Sequence, residues 1–139
     1  MVSAAQTRAL VVDDNAYARA VCTRGLRQFG IGAVDEAADG AEAILKLLVA
    51  PYELVLMDWY MPDIGGPGVM QVLRDPRFGA SPDIKVVLMT AYPSPENLLR
   101  GRRIGFNDVL PKPFTTQHLG AVLTRVLAPQ GVPDDVVYV

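Results

Sequence analysis

Residues 9–12, 54–57 and 84–89 form three short apolar runs with almost no polar interruption, and each run stops at a carboxyl or hydroxyl side chain. Runs of this length suit strands buried on both faces, the condition of a parallel sheet between two helix layers. Stripes with helical spacing lie between them: Ala18, Val21, Cys22, Leu26 and Phe29; then Ala41, Ile44, Leu45 and Leu48; and last Leu119, Val122, Leu123, Val126 and Leu127. Weaker strands are expected at 33–36 and 108–110, a short helix at 69–73 and a weak one at 95–103. The alternation predicts an α/β fold in which the loops after the strands gather on one edge of the sheet, where open α/β sheets bind ligands. The residues at those strand ends are Asp13 and Asp14, then Asp58, Thr90 and Lys112.

With 139 residues, half of them apolar, the chain is expected to form one domain with a sizeable core. A net charge of −2 offers no basic face for nucleic acid, so none is expected as a direct partner. The single cysteine, Cys22, cannot close an internal disulfide. The first ten residues lack the apolar stretch of a signal peptide, and no run has the length of a membrane span. A cytoplasmic protein without a membrane partner is the expectation.

Three carboxylates at neighbouring strand ends raise each other's proton affinity unless a cation neutralises them. An oxygen-only site with open positions suits Mg²⁺, which keeps waters and accepts phosphate oxygens. Lys112 offers a mobile point charge and Thr90 a hydroxyl donor, and the two can balance charge on a transferring phosphoryl group. A carboxylate such as that of Asp58 can also act as a nucleophile and form an aspartyl phosphate. Each residue alone has an ordinary explanation: helix caps for the acid pair, strand propensity for the threonine, a solvated turn for Pro-Lys-Pro. Their ordered coincidence at four strand ends is the stronger signal.

The segments LVVDDN (10–15), LVLMDWYMPDIGG (54–66), VVLMTAY (86–92) and PKPF (111–114), with Arg19 in the first helix, resemble the receiver domain of two-component response regulators. The resemblance covers residues 8–128, leaving 1–7 as an N-terminal extension and 129–139 as a C-terminal tail. It implies a flavodoxin-like, doubly wound sheet of five parallel strands in the order 2-1-3-4-5 with five helices. It makes Asp58 the phosphoacceptor, acting with Thr90 and Lys112. It assigns Mg²⁺ to Asp14 and Asp58, to Asp13 largely through water, and to the Tyr60 carbonyl. It places Trp59, Thr90, Ala91 and Lys112 around the phosphate. The phosphoryl group would come from a histidine kinase or a histidine phosphotransfer protein. The signal would leave through an unidentified protein partner, from a monomer or weak homodimer with no DNA-binding output domain. A cis Lys112-Pro113 bond is part of the same expectation.

The chain departs from that pattern in three places. Val109 stands where a switch Tyr or Phe is usual, three residues before Lys112, and Phe106 is the nearest substitute. Gly65 replaces a frequent Asp, and Pro67 should delay or shorten the third helix. Tyr60 and Tyr92 lie two residues after Asp58 and Thr90, positions that in the family flank the path of water to the acyl phosphate. Their rings would shield it, making the phosphorylated form long-lived. Two other readings are a binding adaptor that no longer uses phosphate, and a small phosphatase with Asp58 as nucleophile. The intact acid, Thr and Lys set opposes the first. Tyr60, where such phosphatases often carry a second Asp, opposes the second.

Overall fold

The structure is a computed structural model that describes residues 3–128; the 129–139 tail lies outside the described residues. The chain alternates β1 (Arg8–Val12), α1 (Ala16–Phe29), β2 (Ala33–Ala37), α2 (Gly40–Val49), β3 (Leu54–Asp58), α3 (Gly66–Leu73), β4 (Lys85–Thr90), α4 (Pro95–Arg103), β5 (Asp108–Pro111) and α5 (Thr116–Val126). The five strands are parallel and ordered β2-β1-β3-β4-β5, as the resemblance implied.

The period-two alternation of a strand divides the core in two. Leu10, Val12, Val55, Met57, Val86 and Leu88 face α2, α3 and α4. Ala9, Val11, Leu54, Leu56, Val87 and Met89 face α1 and α5. All twelve are fully buried, and burial on both faces explains why these runs read as unbroken apolar sequence. The edge strand β2 instead carries Asp35 and Glu36, which meet Tyr52, Arg8, Arg19 and Thr23.

The helix α2 corrects one expectation. Leu45 and Leu48 are 63% and 59% exposed and Ala41 is exposed, while Gly40, Ala43 and Leu47 face inward and Ile44 packs at the margin. Asp39 caps the helix through the Glu42 N–H at 2.7 Å, and a Cβ on Gly40 would stand 2.6 Å from the Ile64 carbonyl oxygen. That close approach fixes the rotation of the helix, in which Leu47 turns inward and Leu45 and Leu48 turn outward. In α1, Val21 and Phe29 lie at the margin, 37% and 36% exposed, whereas Thr23 is buried with its hydroxyl on Glu36.

The third helix is short, eight residues from Gly66, with Pro67 in its first turn and no side-chain cap from Gly65. Gly66 donates to the Trp59 carbonyl at 2.9 Å, and a Cβ there would meet the Asp58 carbonyl oxygen at 2.8 Å. The glycine therefore lets the loop after β3 fold back on the strand end. Lys112-Pro113 is cis, and the Lys112 N–H donates to the Thr90 carbonyl at 2.7 Å.

Candidate functional site

The sheet register brings Val12 opposite Met57, Asp58 opposite Met89, and Thr90 opposite Pro111. Four successive strand ends therefore deliver Asp13, Asp58, Thr90 and Lys112 to one place. One oxygen from each of Asp13, Asp14 and Asp58 lies within 4.8 Å of the others. Asp13 is buried, Asp58 intermediate and Asp14 exposed.

Lys112 joins the two inner acids. Its Nζ donates to Asp13 Oδ2 at 2.6 Å and lies 3.4 Å from Asp58 Oδ2. The other Asp13 oxygen accepts the Asn15 N–H at 2.9 Å, and Arg19 Nη1 donates to the Asp13 carbonyl at 2.7 Å. Asn15 in turn caps α1 by accepting the Ala18 N–H. Each Asp13 oxygen thus holds one donor, the lysine or the helix start, while Asp58 has the longer and weaker share of the ammonium.

Burial pushes the Asp58 carboxyl above the usual carboxylate range; Lys112 pulls it back and the charge of Asp13 pushes it further up. Burial alone would lower Lys112, but its hydrogen bond to Asp13 and the charge of Asp58 raise it above an ordinary lysine. One ammonium faces three carboxylates, so the pocket holds excess negative charge. An oxygen-only donor set with that excess, one member open to solvent, fits Mg²⁺. The Tyr60 carbonyl accepts no hydrogen bond among the described residues, so it too is available as a ligand.

On the other side of Asp58, Thr90 is buried, and its hydroxyl accepts the Tyr92 N–H at 3.0 Å. The Ala91 N–H has no acceptor among the described residues. Tyr60 and Tyr92, 51% and 65% exposed, meet edge to face with ring centroids 5.6 Å apart. Trp59 is only 5% exposed. Its indole packs on Phe106 at 5.7 Å under the Arg100 guanidinium, and its backbone N–H is donated to the Met89 carbonyl at 3.0 Å. In this conformation the Trp59 backbone N–H is turned to the sheet rather than to the pocket.

Val109 packs against the same apolar cluster as Phe106, and Phe106 is buried core. Cys22 lies 3.5 Å from the Met89 sulfur, its pKa pushed up to about 12 by burial and then by Asp13, so it is no reactive thiol. His118 is exposed in the first turn of α5. Sequence reasoning missed Asn97, whose side-chain amide donates to the Tyr92 carbonyl at 3.0 Å. The available signal was the Ser94-Pro95 helix start, which places Asn97 at the third helical position.

A doubly wound parallel sheet of this strand order, with an acid pocket, a hydroxyl and a lysine at its carboxyl edge, places the chain in the flavodoxin-like class of α/β domains. The response regulator receiver domain model matches residues 9–124, and the chain belongs to that family, a family of signalling switches rather than metabolic enzymes. It is 30% identical over 129 residues to a probable chemotaxis protein CheY of Rhizobium etli, covering 91% of this chain and 96% of the relative. It is 36% identical to the transcriptional regulatory protein ResD of Bacillus subtilis, over 88% of this chain, and 33% identical to the transcription factor SKN7 of Saccharomyces cerevisiae, over 85% of it. The chain spans only 48% and 18% of the length of those two relatives. The chemotaxis protein CheY4 of Vibrio cholerae superposes with a TM-score of 0.79 at 30% identity, over 87% of this chain and 98% of that one. The receiver domain of the sensor histidine kinase PA1611 of Pseudomonas aeruginosa, with a magnesium ion in its active-site cleft, gives 0.73 at 26% identity, over 86% and 95% of the two chains.

Proposed function

We propose that this receiver domain, residues 8–128, is a phosphoacceptor switch of a two-component phosphorelay, phosphorylated on Asp58. The observation that carries the reading is Lys112 held between Asp13 and Asp58 inside a three-carboxylate cluster. A lysine so placed balances charge beside the reacting carboxylate without competing for the bond it forms.

An Asp58 oxygen attacks phosphorus in a phosphohistidine of the kinase or phosphotransfer protein. The P–N bond breaks, the imidazole nitrogen leaves with the electron pair, and an acyl phosphate remains on Asp58. Asp14, Asp58 and the Tyr60 carbonyl would hold Mg²⁺, with Asp13 acting through water. Bound there, the ion supplies positive charge to the phosphoryl oxygens. Thr90 and the Ala91 N–H take the remaining oxygens with Lys112. Trp59 joins them only by giving up its bond to Met89. The acyl phosphate then decays slowly, and the signal leaves through a protein partner. The compartment we assign is the cytoplasm.

Mass spectrometry after treatment with a small phosphodonor and Mg²⁺ tests the acceptor. One added phosphoryl group is expected on the wild type and none on Asp58→Asn. An unchanged phosphorylated species in the variant refutes the assignment; multiple turnover of organic phosphates would indicate the phosphatase reading instead.

A further inference from the structure

The segment that carries Thr90 and Ala91 is anchored to α4. The Thr90 hydroxyl accepts the Tyr92 N–H at 3.0 Å, and the Tyr92 carbonyl accepts both the Ser94 N–H at 2.9 Å and the Asn97 side-chain amide at 3.0 Å. Ser94 caps the helix by accepting the Asn97 N–H at 3.1 Å. Asn97 therefore grips the loop with its side chain while its own backbone is gripped by the cap. The Tyr92 ring leans on Tyr60 at the pocket rim. Further along α4, Arg100 lies over Trp59, the residue after Asp58.

Val109, by contrast, has neither a ring nor a polar group. Its side chain packs in the apolar cluster and cannot follow a hydroxyl by hydrogen bonding. The connected route out of the pocket is Thr90 to Tyr92 to Asn97 to the first turn of α4. We infer that Asn97 is a positioning residue through which occupancy of the phosphoryl site is read out on α4, in place of the side chain at 109. The inference rests on the phosphoacceptor reading of Asp58. A Thr90 hydroxyl drawn towards a phosphoryl oxygen carries the Tyr92 peptide with it. The amide bond from Asn97 then moves or releases the helix start.

The test uses the full chain with Mg²⁺ and beryllofluoride, adduct occupancy being followed by fluorine NMR, and reads hydrogen exchange at the Asn97 and Leu98 amides. Loading the wild type should change exchange there by about fivefold or more, the lower end of ordinary site-to-site coupling. Asn97→Asp keeps the shape and suits a helix N-terminus, but has no N–H to donate. At matched occupancy its response should fall below about twofold, under the low end of that coupling scale. Asn97→Gln, which keeps the donor, should recover part of it. A full response in Asn97→Asp overturns the inference, as does a response abolished by Val109→Ala and kept in Asn97→Asp. An adduct that leaves α4 unchanged in the wild type defeats the inference alone. Failure of the wild type to form any adduct defeats the phosphoacceptor reading, and the coupling falls with it.

Discussion

Asp13 and Asp14 are adjacent and chemically identical, yet they should respond oppositely to neutralisation. Asp13 is buried and holds Lys112 at 2.6 Å and the Asn15 N–H at 2.9 Å. Asp13→Asn leaves the ammonium with only the longer Asp58 contact. The expected cost is about 2–3 kcal/mol, below the ~3–5 kcal/mol of breaking a wholly buried pair, because Lys112 keeps some solvent and a second partner. Asp14 is exposed and makes no ion pair among the described residues, so Asp14→Asn should leave the metal-free protein as stable or slightly more so while weakening Mg²⁺ binding. Urea melts in chelator check both signs, and equal losses would show that the two acids play the same part. A second pairing, between the Tyr52 hydroxyl and Asp35 Oδ2 at 2.7 Å, predicts a pH effect. Burial, followed by the Asp35 hydrogen bond and charge, pushes the Tyr52 phenol up to about 12, against ~10 in an unfolded chain. A group raised in the folded state stabilises below its unfolded pKa and loses that contribution as pH climbs through the folded one. Denaturation midpoints should therefore fall more steeply between pH ~10 and ~12 in the wild type than in Tyr52→Phe; parallel curves would contradict this.

At the scale of the element, two helical glycines make opposed predictions. Nothing lies within 4 Å of a Cβ built on Gly120 in α5, so Gly120→Ala should gain the ~1 kcal/mol of helix propensity that separates the two residues. In α2 the same gain at Gly40 is opposed by the Ile64 backbone oxygen at 2.6 Å, which cannot swing away like a side-chain tip. Gly40→Ala should therefore lower the melting temperature, whereas Gly120→Ala raises it. These glycines also show where sequence reading stops. β3 was legible because Leu54, Val55, Leu56 and Met57 are buried on both faces, so no phase had to be chosen. α2 carries more apolar side chains than its inner face accepts, and a backbone contact with Ile64, distant in sequence, decides which turn inward. The pocket residues were legible one by one because they end strands. The Lys112–Asp13 bond joins positions 99 residues apart, and its preference for Asp13 over Asp58 appears only in three dimensions. Asn97 was hidden for a simpler reason: an amide in the first turn of a polar helix resembles any surface residue until its acceptor is seen.

For the whole molecule, the pocket rim bears on how long the proposed phosphorylated state lasts. Hydrolysis of an acyl phosphate needs a water aligned opposite the leaving carboxylate. Tyr60 and Tyr92 come from the loops after β3 and β4, and their rings touch edge to face at 5.6 Å and 87°. Both residues are more than half exposed; the Tyr60 ring meets the buried Trp59 indole at 6.5 Å as well as the Tyr92 ring, and the Tyr92 backbone is held by Thr90 and Asn97. A pair in contact occupies the approach more persistently than two independent rings. Removing either partner should release the other, so the single changes should not add. If closure keeps the aligned water out of most conformers, a tenfold slowing needs only ~1.4 kcal/mol of barrier. Tyr60→Ser, Tyr92→Ser and the double variant should all lose phosphate faster than the wild type, with no phosphatase present. The double variant should be little faster than the quicker single one. Mg²⁺ affinity should barely change, because Tyr60 would serve the ion through its backbone carbonyl. Equal decay in all four proteins would make the rings bystanders, and fully additive effects would mean that each ring obstructs water alone.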